Sequence, residues 1–283
     1  MAICICPLSM APVRNSASHK SEMITQVLFG EMVEVLEEKG RQWKKVRCCD
    51  DHSVGWMASN QLKALTPSEF EDYQEHFAFV LEFLQPAMAE DHFLPITLGA
   101  RLPHFDGMRF KMGDVSYHFS GQAVLQQEMS VSNANFIIKL AKRYLNSPYL
   151  WGGRSPMGID SPGFVQVIFR MAGIKLPREA DQQVFQGENV HFIDHAWPGD
   201  LAFFENQKGR VSHVGIILED KQIIHAYGKV RVDSLDHYGI YNQDLKRYTH
   251  RLRLIKRLLE NQQQPEKKKT EDTEALRQQI ELF

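Results

Sequence analysis

The chain has 283 residues, an apolar share of 43%, and 33 basic against 35 acidic side chains, for a formal net charge of −2. That length accommodates two or three domains with real cores, and the balanced charge gives no electrostatic footprint for nucleic acid or an anionic membrane, both of which require clustered positive charge, so neither is expected as a partner. No stretch approaches the roughly 20 apolar residues that span a bilayer. The start has no basic region, and its apolar run is broken by Pro7, so no signal peptide is read and a cytoplasmic protein is expected.

Residues 1–66 carry short β-rich runs at 3–9, 23–29, 32–36, 43–49 and 54–58, separated by turn residues. Such spacing predicts a small barrel, and Leu28-Phe29-Gly30-Glu31 with Gly55-Trp56-Met57 resembles bacterial SH3-like domains. All four cysteines fall here, as Cys4, Cys6, Cys48 and Cys49. Their pairing is a soft-metal pattern. In strand-like segments, however, a reduced Cys serves as a small hydrophobe, so no metal is expected.

Residues 67–129 open with a helical period: Phe70, Tyr73, Phe77, Val80, Leu81 and Leu84 share one side up to Pro86. This predicts a connecting helix over 67–90. β signals at 96–99, 104–107, 110–113 and 115–119 then predict a second, shorter SH3-like module. From 130 onward, Asn133 or Asn135 can cap a helix carrying Phe136, Ile137, Leu140, Ala141 and Tyr144. A second helix from Pro162 carries Phe164, Val165, Ile168, Phe169 and Ala172, and Gly173 ends it. Strands are expected at 201–204, 214–218, 223–226, 230–232 and 252–257. Helices followed by an antiparallel sheet make 130–258 an α+β domain. The Gln-, Lys- and Glu-rich tail, 259–283, reads as disordered apart from a short helix near 275–280.

Three local signals in this domain carry chemistry: Gly158-Ile159-Asp160-Ser161-Pro162-Gly163-Phe164-Val165 at a loop-to-helix junction, Ser212-His213-Val214-Gly215-Ile216 opening a strand, and Ile224-His225-Ala226 on the next strand. A nucleophile at a helix start gains from the positive end of the macrodipole, a histidine on a facing strand can serve as its base, and a third residue can orient that base. His191-x-x-x-His195 has a metal-like spacing but no third ligand.

With Tyr149-Leu150-Trp151-Gly152-Gly153 upstream, these segments resemble the NlpC-type family of cell-wall cysteine peptidases over residues 130–258. The resemblance implies a papain-like domain and no cofactor. Its implied substrate is a peptidoglycan-derived peptide with a free N-terminal L-Ala, cut as by a γ-D-glutamyl-L-diamino acid endopeptidase to release L-Ala-γ-D-Glu. It places Ser161 at the nucleophile position, His213 as general base and His225 as the orienting residue. Tyr149 would approach the reacting carbonyl, Asp160 and Glu179 would meet the free amine, and Glu31 would close the same pocket. Trp151 and Phe164 read as packing.

Ser161 replaces the family cysteine and Pro162 the usual serine. An alcohol stays protonated where a thiol beside His⁺ is readily held as thiolate. Two readings therefore stand: a hydrolase of low turnover, or an inactive murein-peptide binding protein. Ser-Pro also fits the N-cap and first residue of a helix, which would turn Ser161 Oγ toward its own backbone and away from His213.

Overall fold

The computed structural model describes residues 2–126 and 133–259. The expected tail beyond residue 259, with its helix near 275–280, and the domain start at 130–132 lie outside them. Seven strands open the chain: β1 (Ala2–Ile5), β2 (Met10–Arg14), β3 (Met23–Leu28), β4 (Met32–Lys39), β5 (Trp43–Cys48), β6 (Val54–Ala58) and β7 (Lys63–Leu65). They form one antiparallel sheet in the order β3-β2-β6-β5-β4-β1-β7. Cys4, Cys6 and Cys48 are buried in its core with Val13, Val27, Val33 and Val46. Burial pushes the Cys6 thiol up to about 12, so it serves as an apolar filler rather than a thiolate.

Helix α1 (Pro67–Glu75) follows, held by a reciprocal cap in which Thr66 accepts from the Glu69 N–H and Glu69 accepts from the Thr66 N–H. The expected helix over 67–90 stops here. Phe77, Ala78, Phe79 and Val80 are all buried, and a run hidden on both faces forms strand β8 (Phe77–Val80), followed by β9 (Leu84–Met88). Their apolar residues match i, i+3, i+4 and i+7 spacing only because so short a run fits either period. β10 (Phe93–Thr97), β11 (Arg101–Pro103), β12 (Arg109–Met112), β13 (Val115–His118) and β14 (Ala123–Leu125) complete two small sheets, β10-β9-β13-β12 and β11-β8-β14. Phe29 of the first sheet packs edge-on against Phe110 of the second.

The last domain opens with α2 (Ala134–Arg143), whose N-cap Asn133 accepts from the Phe136 N–H. A two-stranded ribbon, β15 (Arg154–Ser155) and β16 (Gly158–Ile159), leads into α3 (Ser161–Met171). After the short α4 (Ala180–Gln183) come β17 (Glu188–Val190), β18 (Leu201–Glu205), β19 (Val211–Ile217), β20 (Gln222–Tyr227), β21 (Lys229–Leu235), β22 (Gly239–Asn242) and β23 (Arg247–Arg257). The first part of β23 pairs with β22 and the rest with β18, so the antiparallel sheet closes on itself. This is an α+β domain of helices packed on an antiparallel sheet. Every residue of α3 is buried, including Gln166 and Arg170, which marks it as a central helix. Phe164 and Phe169 of α3 meet Phe203 of β18 in the core, each contributing about 1.5–3 kcal/mol of burial.

Candidate active site

The site is built from the start of α3 and the strands β19 and β20 against which that helix packs. The N-cap of α3 is Asp160 rather than Ser161: its Oδ1 accepts the Gly163 N–H at 2.8 Å. Ser161 is the first helical residue and Pro162 the second, so the Ser-Pro capping alternative is displaced by one position. Asp160 wins because its carboxylate also accepts the Gly152 N–H at 2.8 Å and Arg178 Nη2 at 2.6 Å, both on Oδ2. Ser161 Oγ is left without a hydrogen bond among the described residues. In the first turn, Gly163 N–H is spent on the cap, Phe164 N–H goes to Asp160 O, and Pro162 has none. The Ser161 N–H is the donor left over.

The Tyr149-to-Gly153 loop lies over the same junction. Gly152 has a φ of +75°, and a Cβ there would sit 2.4 Å from Met23 O of β3, so the loop is seated against the first sheet by its glycine. Trp151, expected as packing, is 60% exposed and donates Nε1–H to Glu22 at 2.9 Å. Tyr149 is half-exposed, and partial burial together with the Asp160 carboxylate pushes its phenol up, keeping it a donor.

The two histidines meet. His213 on β19 and His225 on β20 are 2.9 Å apart, Nε2 to Nδ1, and His225 Nε2 lies 3.1 Å from Asp233 Oδ2 on β21. A carboxylate only accepts, so the tautomers follow in sequence. His225 carries its proton on Nε2, its Nδ1 is an acceptor, and His213 donates Nε2–H to it. His213 Nδ1 is thereby left as a free lone pair, the form a general base needs. Burial is the largest influence holding both imidazoles below the ordinary histidine value, with His250 and His225 adding to it at His213 and Asp233 partly opposing it at His225. Burial pushes the Asp233 carboxyl up, but His225 and Arg231 together pull it below its ordinary value. Asn242 Nδ2 and Arg231 also donate to Asp233, the former at 3.0 Å.

Sequence reasoning missed Asp233, Arg231, Asn242 and His250. The one available signal was a charged residue following Val230-Arg231-Val232 on the strand next to the histidine strand. His250 on β23 stacks on His213 with ring centroids 4.0 Å apart, a contact made by barrel closure.

The remaining expected residues divide. Glu179 is exposed and makes no capping bond to α4. Glu31 is 3% exposed and its carboxylate is filled by protein donors: Arg154 on both oxygens, Arg170 on Oε1 and the Leu28 N–H on Oε2. With about four acceptor positions in a carboxylate, none remains for a substrate amine, so Glu31 does not close the pocket. His191 and His195 are not brought to a third ligand; among the described residues the one three-donor group is His213, His225 and His250. A cavity of about 720 Å³ where Asp50, Arg101 and Arg170 meet contains none of the site residues.

The NlpC/P60 family profile matches residues 146–250, and that of the bacterial dipeptidyl-peptidase Sh3 domain matches residues 13–62. A γ-D-glutamyl-L-lysine dipeptidyl-peptidase of Bacillus subtilis is 31% identical over 222 residues, 71% of each chain. Dipeptidyl-peptidase 6 of Lysinibacillus sphaericus is 25% identical over 255 residues, 80% of this chain and 89% of that one. In three dimensions, the crystal structure of an NlpC/P60 family protein from Bacillus cereus superposes with a TM-score of 0.78 at 22% identity, covering 91% of this chain and all of that one.

Proposed function

The chain belongs to the NlpC/P60 family, and on that premise we propose that it is a peptidoglycan-peptide hydrolase acting on stem peptides with a free N-terminal L-Ala, cutting after γ-D-Glu. The observation that carries this reading is the one-way proton chain from Asp233 through His225 to His213, which leaves His213 Nδ1 unprotonated beside a helix that presents residue 161 at its first position. In the reaction, His213 Nδ1 takes the Ser161 Oγ proton as the oxygen attacks the γ-carbonyl of D-Glu. The Ser161 N–H and the Tyr149 hydroxyl stabilise the oxyanion. His213 then returns the proton to the leaving amine of the diamino acid, and water hydrolyses the ester to release L-Ala-γ-D-Glu. The imidazolium formed on the way is stabilised through His225 by Asp233. Asp160 has about one acceptor position left after its three protein donors, and with the free carboxylate of Glu179 it receives the substrate's ammonium.

The absence of a hydrogen bond on Ser161 Oγ among the described residues favours a second reading, a murein-peptide binding protein without turnover. The two are separated by turnover of L-Ala-γ-D-Glu-L-Lys by the chain and by Ser161→Cys, with binding of the dipeptide measured alongside. Hydrolysis by the chain itself, faster by about a hundredfold or more in Ser161→Cys, is expected for the hydrolase. Turnover confined to Ser161→Cys supports the binding protein. If neither form binds or cleaves, the substrate assignment fails.

A further inference from the structure

His213, His225 and His250 bring one ring nitrogen each to within 4.8 Å of one another. They come from three different strands, β19, β20 and β23, and the hydrolytic chain uses only the first two. His250 has one ring nitrogen, Nδ1, 2.9 Å from Thr249 Oγ1, which leaves the other unengaged, and it is half-buried where His213 and His225 are buried. Tetrahedral zinc holds histidine nitrogens at about 2.0–2.1 Å, which places them roughly 3.3–3.4 Å from one another. His213 Nε2 and His225 Nδ1 are 2.9 Å apart, so opening that pair by a few tenths of an ångström and rotating His250 out of its 4.0 Å stack on His213 assembles three ligands. The outer support is already in place: His225 Nε2 lies against Asp233 Oδ2, the carboxylate–histidine arrangement that fixes ring orientation and ligand basicity in zinc sites.

We propose that His213, His225 and His250 form an inhibitory site for a divalent cation of the zinc class. Its effect follows from the shared proton. A cation on His213 Nε2 displaces the proton now donated to His225 and drives it to Nδ1, so the base loses its lone pair with no net proton released. His225 needs no change, because its Nδ1 is already an acceptor. The cation thus switches off the step that activates Ser161, a consequence that rests on the hydrolase reading, whereas binding itself does not.

The test titrates the full chain, stripped with EDTA, with zinc by calorimetry and with cobalt(II) by visible absorption. One equivalent is expected, with the ligand-field bands of a nitrogen site. Affinity should fall tenfold or more in His250→Gln and about tenfold in Asp233→Asn, each variant first shown to be folded by circular dichroism. Stoichiometric binding unchanged by both variants, thiolate charge-transfer bands from Cys4, Cys6, Cys48 or Cys49, or no binding in the micromolar range would overturn the proposal. Turnover of the tripeptide by the chain is expected to be abolished by one equivalent of zinc and restored by EDTA. If no form of the protein hydrolyses the peptide, the hydrolase reading fails while the titration still decides the cation site.

Discussion

In the proposed reaction, a serine at position 161 shifts the work of proton transfer onto His213. A thiol beside a histidine is deprotonated before substrate arrives, whereas an alcohol gives up its proton only during attack, so the tautomer of His213 matters at each turnover. That tautomer is dictated by Asp233, two hydrogen bonds away through His225. Asp233→Asn can present an amide N–H to His225 and reverse the chain. Turnover by the chain with Ser161 in place is expected to fall by about 100-fold or more with KM little changed, and kcat and KM measured separately decide it. A matched rise in KM would instead mean that Asp233 shapes substrate binding and not the His213 tautomer. Asp160 makes a different kind of contribution. Removing its carboxylate in Asp160→Ala takes the cap from α3 and leaves Arg178 buried without its ion partner. The expected loss is about 3–5 kcal/mol of stability by urea unfolding, far above the cost of a lost exposed charge.

At the level of elements, the helix carrying the nucleophile position and the two histidine strands were legible because their signals are local: an apolar period in α3, and His within the β-branched runs of β19 and β20, beside Val214 and Ile224. What was hidden depended on closure. His250 reaches His213 only because β23 bridges β18 and β22, and Asp233 faces inward only by the register of β20 with β21. Likewise Ser-Pro is a good local cap signal, and it lost its place because Gly152 and Arg178, distant in sequence, converge on Asp160. Closure also sets a pH dependence. Burial holds His213 and His225 below the ordinary histidine value and pushes His250 down to about 4. Between about pH 6.5 and 4 the unfolded chain binds protons that the folded barrel refuses, so stability is fully present above about pH 6.5 and is lost as pH falls. Each unit of separation is worth about 1.4 kcal/mol. The metal-free protein should therefore melt about 5 °C or more lower at pH 4.5 than at pH 7. A flat melting temperature across that range would show that the histidines stay accessible to protons.

Across the whole molecule, one buried ion network joins all three parts of the chain. Arg154 of the last domain donates to Glu31 of the first at 2.7 Å, Arg170 of α3 donates to the same carboxylate and to Asp50 at 2.9 Å, and Arg101 of the second module donates to Asp50 at 2.8 Å. Burial alone would raise the Glu31 carboxyl, but Arg154 and Arg170 outweigh it and hold it below the ordinary glutamate value. The fully buried α3 thus has its one internal cation neutralised by residues of the first barrel, which ties the helix bearing Ser161 to that barrel. Breaking such a network from one side costs more than the network contributes as a whole, because the remaining charges stay buried and unpaired. Glu31→Ala leaves Arg154 without its carboxylate and Arg170 with Asp50 alone, and the expected loss is about 3–5 kcal/mol. Arg47→Ala, which removes the more exposed Arg47–Glu34 pair, should cost less than about 1 kcal/mol. Urea unfolding of both variants, followed by fluorescence and by far-ultraviolet circular dichroism, tests the comparison. Coincident transitions shifted strongly in Glu31→Ala alone are expected if the network makes the three parts unfold as one. An unshifted Glu31→Ala would mean that Arg154 and Arg170 find other partners and that apolar packing, such as Phe29 on Phe110, carries the junction.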